Sequence, residues 1–299
     1  MAFRARLAAP PPPQRKEWPW HFLKYRGVHI NAMLDGDRRL DAETYLSVGY
    51  GIRAAIEACR GGWVRFGDMA RAWAPPRIKT ILVSPEHGTP YLNTSQVFDY
   101  QATTRKWLAL EKTSKAESRL ARQGTILLMA SASVGRSTLV TKAHEGCVLS
   151  HHFMRVEPID AAQHGWIYAY LRSPQTRAMM SGSQYASIIR HIEPHHVGTL
   201  PIPTVDDNTA ADFSRRVARI LELRNKGHRL TLEAEARFEK VLGPLKIANW
   251  GEEGFTVKAS KAFLGGRRRF DAAVDNPGVA AIRRQIGRAS CRERVYVLV

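Results

Sequence analysis

The amino-acid sequence predicts an α+β fold: a mixed domain built on a short-stranded sheet, followed by a long coiled-coil-type helix. Three observations lead there. From Trp63 to Val156, short β-branched runs alternate with clusters of Gly, Pro, Ser and Asn, the punctuation of strands and turns. Helical stretches flank that middle on both sides. From Asp206 to Gly243, DDNTAADFSRRVARILELRNKGHRLTLEAEARFEKVLG is free of proline, opens on capping residues and closes on Gly243-Pro244.

In chain order, residues 1–35 form a proline-rich extension in which APPPPQ, Ala9 to Gln14, is extended and partly disordered. From Asp41 the segment AETYLSVGYGIRAAIEAC is a helix with Leu46, Tyr50, Ala54 and Ala58 on one face, ended by Gly61 and Gly62. TILV (Thr80 to Val83), TILLM (Thr125 to Met129) and STLVT (Ser137 to Thr141) are the strand candidates. HGWIYAYLRSPQTRAMMSG returns to helix, with Pro174 at the first turn of its second part. IEPHHVGTLPIPTV cannot be helical throughout, because its prolines impose extended geometry nearby. The main domain therefore spans 36–204 and the long helix 205–243. In that helix, steps of four and three from Phe213 reach Val217, Ile220, Phe238 and Val241, candidate partner-binding positions. The seam breaks at Arg224, Gly227 and Thr231.

The chain begins again near its end. Set 230 residues apart, Trp20 to Ala42 and Trp250 to Ala272 match without a gap at eight of 23 positions, among them Gly36/Gly266, Arg38/Arg268, Arg39/Arg269 and Asp41/Asp271. That spacing excludes a short-period solenoid. Residues 244–285 thus read as the start of a second, truncated domain. The run IGRASCRERV, Ile286 to Val295, is what a widely used sequencing-library adapter can encode, so residues 286–299 are expected to be a non-native tail.

Composition narrows the function. The formal charge is +18 over 299 residues, with the excess spread along the chain. A surface of that kind suits a polyanion, since each neutralised phosphate releases counterions; solubility alone is the plainer reading. Cys59, Cys147 and Cys291 have no CxxC spacing and form an odd set, which fits a reducing cytosol and indicates neither a zinc knuckle nor a disulfide framework. No secretory signal is legible at the N-terminus. GTILLMASASVG, the longest uncharged apolar-rich run, is 12 residues, short of the roughly 20 that cross a bilayer.

Enzymatic chemistry finds little support. His151-His152 and His195-His196 are adjacent pairs, whereas a helical zinc pair needs the i, i+4 spacing of HExxH, so no metal is expected. SVGRS (Ser133 to Ser137) has Val where a nucleophile elbow needs its serine. No Walker loop, dinucleotide fingerprint or amino-methyltransferase motif occurs.

Polar, basic loops stand out instead. Arg77, Lys79, Arg136, Lys142 and Arg190 are candidate phosphate clamps, and Asn93, Ser95, Gln96, Ser133, Gln184 and Tyr185 candidate base readers. For each, ordinary loop capping is the alternative.

The order GTPYLNTSQV, RQGTILLMASASVGRSTLV, GCVLSHHFMRVEP, WIYAYLRSP, GSQYASIIRHIEPHHVGTLPIP, then a long helix, resembles a target recognition domain of the specificity (S) subunit of type I restriction-modification enzymes. The resemblance covers roughly Arg39 to Gly243 and is loose motif by motif. It implies a sequence-specific DNA-binding subunit without catalytic residues, which directs methyltransferase (M) and restriction (R) motor-nuclease subunits to a half-site of a bipartite target. It also implies a conserved spacer helix on which M subunits dock. No cofactor is expected on this chain; S-adenosylmethionine, ATP and magnesium are expected on the partner subunits. S subunits carry two recognition domains and two such helices in alternation, which accounts for the repeat. A self-dimer through the helix, reading two half-sites, is a further expectation. A recognition module of a fused type II restriction-methylation enzyme and a protein-interaction module that does not bind DNA are the rival readings.

Overall fold

The computed structural model describes residues 27–28, 30, 42–113, 115–182, 191–243, 256, 258 and 277–292. The sequence repeat lies almost wholly outside them. The chain divides into two compact units, residues 1–223 and 224–299.

The first unit opens with two helices where the sequence suggests one. Helix α1 (Ala42–Leu46) stops at Ser47, and α2 (Val48–Glu57) starts after it. The Ser47 hydroxyl donates to Thr44 O at 2.7 Å and accepts from Tyr50 N at 3.1 Å, so one side chain satisfies both helix ends. The buried face also differs from the expectation. Ile52 and Ile56 meet the core, whereas Ala54 and Ala58 are exposed.

Strand β1 (Trp63–Arg65) leads into a short helix, α3 (Phe66–Met69), and β2 (Ala70–Trp73). After these come β3 (Leu82–Val83), β4 (Thr89–Leu92), helix α4 (Thr94–Phe98), β5 (Lys106–Leu108), β6 (Ile126–Met129), β7 (Ser137–Leu139), β8 (Val148–Leu149) and β9 (Phe153–Pro158). Helices α5 (His164–Arg172), α6 (Pro174–Gly182) and α7 (Pro194–Gly198), strand β10 (Pro201–Pro203) and the long helix α8 (Asp207–Leu242), which begins in the first unit, follow among the described residues. The strands form a pair, β1-β10, and two four-stranded sheets of order β2-β9-β6-β7 and β3-β5-β4-β8. All pairings are antiparallel except β4 with β8.

Strand β6 explains why its sequence, ILLM, shows no alternation. Ile126 and Leu128 enter a core with Phe66, Ile167 and Leu171, while Leu127 and Met129 enter another with Leu92, Leu149 and Phe153. Both faces are dry, so every position is apolar.

Two arginines break that pattern. Arg119 and Arg155 are almost fully buried, and their guanidinium groups serve backbone carbonyls. Arg119 Nε donates to Pro76 O at 3.1 Å, and its Nη2 donates to the same oxygen. Arg155 Nη2 donates to Arg119 O at 2.9 Å. Burial, with Arg119 as neighbour, pulls Arg155 down to about 10.

Helix α8 is 36 residues, about 54 Å at 1.5 Å per residue. Its first turns belong to the domain. Phe213 lies against Trp166 with ring centroids 5.0 Å apart, and Val217 is 5% exposed within the core. Val217 is thus covered by its own domain, and Phe213 is half-buried against it. Ile220, Phe238 and Val241 are exposed, and so are Leu223 and Leu230. Within the second unit, Leu230, Phe238 and Val241 fall within about 80° of arc at 100° per residue, an exposed apolar stripe.

In the second unit, Gly243 closes α8 with φ +66 and donates to Glu239 O at 2.9 Å, the left-handed helix stop that glycine adopts freely. Helix α9 (Pro277–Arg292) runs across residue 286, and Gln285 Nε2 donates to Leu242 O at 2.9 Å.

Candidate nucleic-acid interface

The turn joining β6 to β7 is built to hold side chains outward. Ala132 at φ 61 and Gly135 at φ +77 are both left-handed, a conformation that is strained for alanine. The reversal leaves Ser133 and Arg136 exposed while Val134 is buried. Arg136 lies over the Phe98 ring at 3.8 Å, a cation–π contact that brings the turn to the end of α4. Asn93 and Ser95 sit on that helix, Asn93 half-buried at its N-cap and Ser95 exposed.

Gln96 is different. Its Oε1 accepts from Asn93 N at 2.9 Å and its Nε2 donates to Thr103 O, and the side chain is buried. Both ends of the amide are used inside the domain, so Gln96 is a capping residue instead of a base reader.

The loop between β8 and β9 reaches the same end of the sheet. Ala130 N donates to His152 O at 2.8 Å, and Ser131 Oγ lies 2.5 Å from His152 Nδ1. Ser131 also bridges to His191. The imidazoles of His151 and His152 are 4.0 Å apart and tilted by 37°. Partial burial, then the neighbouring imidazole and the charges of Arg119 and Arg77, lower His151 to about 4. Burial, His191 and the same two arginines lower His152. Arg77 and Lys79 are exposed on the link between β2 and β3, whose Pro76 carbonyl Arg119 holds.

Lys142 stands apart. It is exposed beyond the far end of β7, where Val140 pairs with Thr125 and Gly124, opposite the turn that bears Ser133 and Arg136. Gln184, Tyr185 and Arg190 lie outside the described residues; His191, which follows them, is at the assembled end. One end of the domain thus gathers Asn93, Ser95, Ser133 and Arg136 of the sequence candidates, and adds the two histidines, on which the charge of Arg77 acts, and Ser131. Adjacency made His151-His152 look like a poor metal pair, and no sequence signal placed them beside Arg77. Among the described residues no group of three or more His, Cys, Asp or Glu side chains could hold a metal ion. No helix among them is long and apolar enough to cross a membrane.

No protein-family model matches the chain, and no curated relative matches it. Solved structures do. Type I restriction-modification S subunits are among the solved chains it is similar to. One is the S subunit of a type I restriction-modification system from M. genitalium, at 16% identity and TM-score 0.43, over 60% of this chain and 45% of that one. Another is the HsdS subunit from Thermoanaerobacter tengcongensis, at 18% identity and TM-score 0.39, over 71% and 53%. A third comes from a study of complex assembly and conformational transition in the type I R-M system, at 17% identity and TM-score 0.38, over 71% and 54%. The chain spans about half the length of these solved chains.

Proposed function

We propose that the chain is a DNA-recognition subunit that reads one half-site of a duplex and presents it to separate methyltransferase and restriction subunits. The observation that carries this reading is the convergence, at one end of the domain, of outward-facing Arg136 and Ser133 with Ser95, from two separate chain segments. Cationic groups next to small hydrogen-bonding side chains suit backbone positioning combined with base-edge readout. The chain has no catalytic role in this reading. S-adenosylmethionine, ATP and magnesium belong to the partner subunits, which dock on the exposed apolar stripe of α8.

The reading is tested by titrating a labelled duplex of about 25 base pairs with the purified chain between 50 and 200 mM salt. Binding that weakens steeply, on the order of a thousandfold for six or more phosphate contacts, supports it. A protein that binds no duplex even at 50 mM, alone or with the methyltransferase subunits, overturns it and favours an interaction module with an incidental basic surface.

A further inference from the structure

We propose that His151 and His152, with Ser131, His191 and Arg77, form a phosphate-binding site whose imidazoles take up protons as a duplex backbone docks, so that affinity for DNA rises as pH falls. This inference rests on the DNA-binding reading above and assigns a site to residues that the sequence candidates omit.

The site is built by backbone pairing. Ala130 N donates to His152 O at 2.8 Å, and Ile192 N donates to Ala130 O at 2.9 Å, so both flanking loops are pinned to the end of β6. Ser131 Oγ, 2.5 Å from His152 Nδ1, engages one ring nitrogen and directs the other elsewhere. His151 stacks on this ring at 4.0 Å. Both rings are half-buried.

The charged and titratable groups that act on the pair come from three other segments. Arg77 comes from the β2–β3 link, Arg119 from the turn at 116–119 and His191 from the strand bridge to Ser131. Glu193 brings a carboxylate 3.5 Å from His191 Nε2. Burial first, and then the surrounding imidazole and guanidinium groups, hold the two rings neutral at pH 7. An oxyanion placed among them opposes these positive charges, since it attracts a proton to each imidazole. A ring raised from about 4 back to an ordinary value near 6.5 tightens binding by about tenfold between pH 7.5 and pH 5.5.

The experiment has two arms on the full chain. In the first, the anisotropy of a labelled random-sequence duplex is measured at constant ionic strength at pH 7.5 and 5.5, for the native chain and for His151→Gln/His152→Gln, with circular dichroism confirming the fold at each pH. The expected result is a native chain at least about tenfold tighter at pH 5.5 than at pH 7.5, and a double variant whose affinity changes far less between the two pH values. In the second, histidine carbon-bound proton shifts of the native chain are titrated with and without inorganic phosphate, which needs no variant to fold. Phosphate is expected to move the two midpoints upward. Duplex binding with equal pH dependence in both proteins, and midpoints unmoved by phosphate, overturns the site and leaves the DNA reading standing. Midpoints raised by phosphate in a chain that binds no duplex overturn the DNA reading and leave an anion site for free phosphate.

Discussion

Replacing Gly165 by alanine tests how the long helix is mounted. Gly165 is the second residue of α5, and a Cβ built there would lie 2.3 Å from Ser214 N and 2.4 Å from Phe213 C. Ordinary contact begins near 3.5 Å, so α5 and α8 must separate by about 1 Å. That movement stretches the bonds from Gly165 N to Ser214 Oγ at 3.2 Å and from Ser214 Oγ to Ala162 O at 2.8 Å. It also loosens the Trp166–Phe213 contact and the burial of Val217. Overpacking costs ~1–3 kcal/mol and a lost hydrogen bond ~1 kcal/mol. A net loss of about 3 kcal/mol lowers Tm by about 6–12 °C in a domain of this size. Helix propensity alone gives the opposite sign, since alanine is preferred over glycine by ~1 kcal/mol. Thermal denaturation followed by circular dichroism separates the two, with Ser214→Ala as the control at ~1 kcal/mol. A Gly165→Ala protein that melts at or above the native temperature would refute the close-contact argument.

Gln96→Ala removes a cap and the tie to Thr103; denaturant unfolding is expected to show a loss of ~1–2 kcal/mol, with selected DNA sequences unchanged. Arg136→Ala weakens all duplexes alike and lowers the salt slope by ~1, whereas Lys142→Ala, at the other end of the hairpin, leaves the slope within error. Arg119→Met frees the Pro76 carbonyl and costs ~1.5–3 kcal/mol in denaturation, with weaker duplex binding as the link carrying Arg77 and Lys79 loosens. His151 and His152 have folded pKa values below the ordinary 6.5, so the unfolded chain binds more protons in that range. Stability is fullest above pH 6.5 and declines as pH falls from there towards about 4, and His151→Gln shows a shallower decline of Tm over that window.

What could be read in the sequence was what periodicity and punctuation carry. The helix at Asp207–Leu242, the split of α5 from α6 at Pro174 and strands β6 and β7 follow from capping residues, proline and β-branched runs. The face of α2 did not, because Ala54 and Ala58 satisfy helical spacing as well as Ile52 and Ile56 do, and only packing decides. Arg119 and Arg155 look like surface cations in one dimension; their burial depends on carbonyls 43 and 36 residues away. Gln96 followed by two residues of α4 looked like a loop reader for the same reason, since its capping partner is local but Thr103 is not predictable from spacing. The candidate site was legible in residue type, as Ser, Asn and Arg on loops, and illegible in assembly. The pairing of β6 with β9, the Ser131–His191 bridge and the Arg136–Phe98 contact bring the loops to one end.

The most direct measurement is a binding selection on duplexes with a randomised core, using the chain together with its methyltransferase partners and an excess of random competitor. The account predicts enrichment of one short contiguous half-site, with preference lost at individual base positions when Ser133 or Ser95 is changed to alanine. Recovered sequences that match the input pool, at salt low enough for the chain to bind, would contradict it.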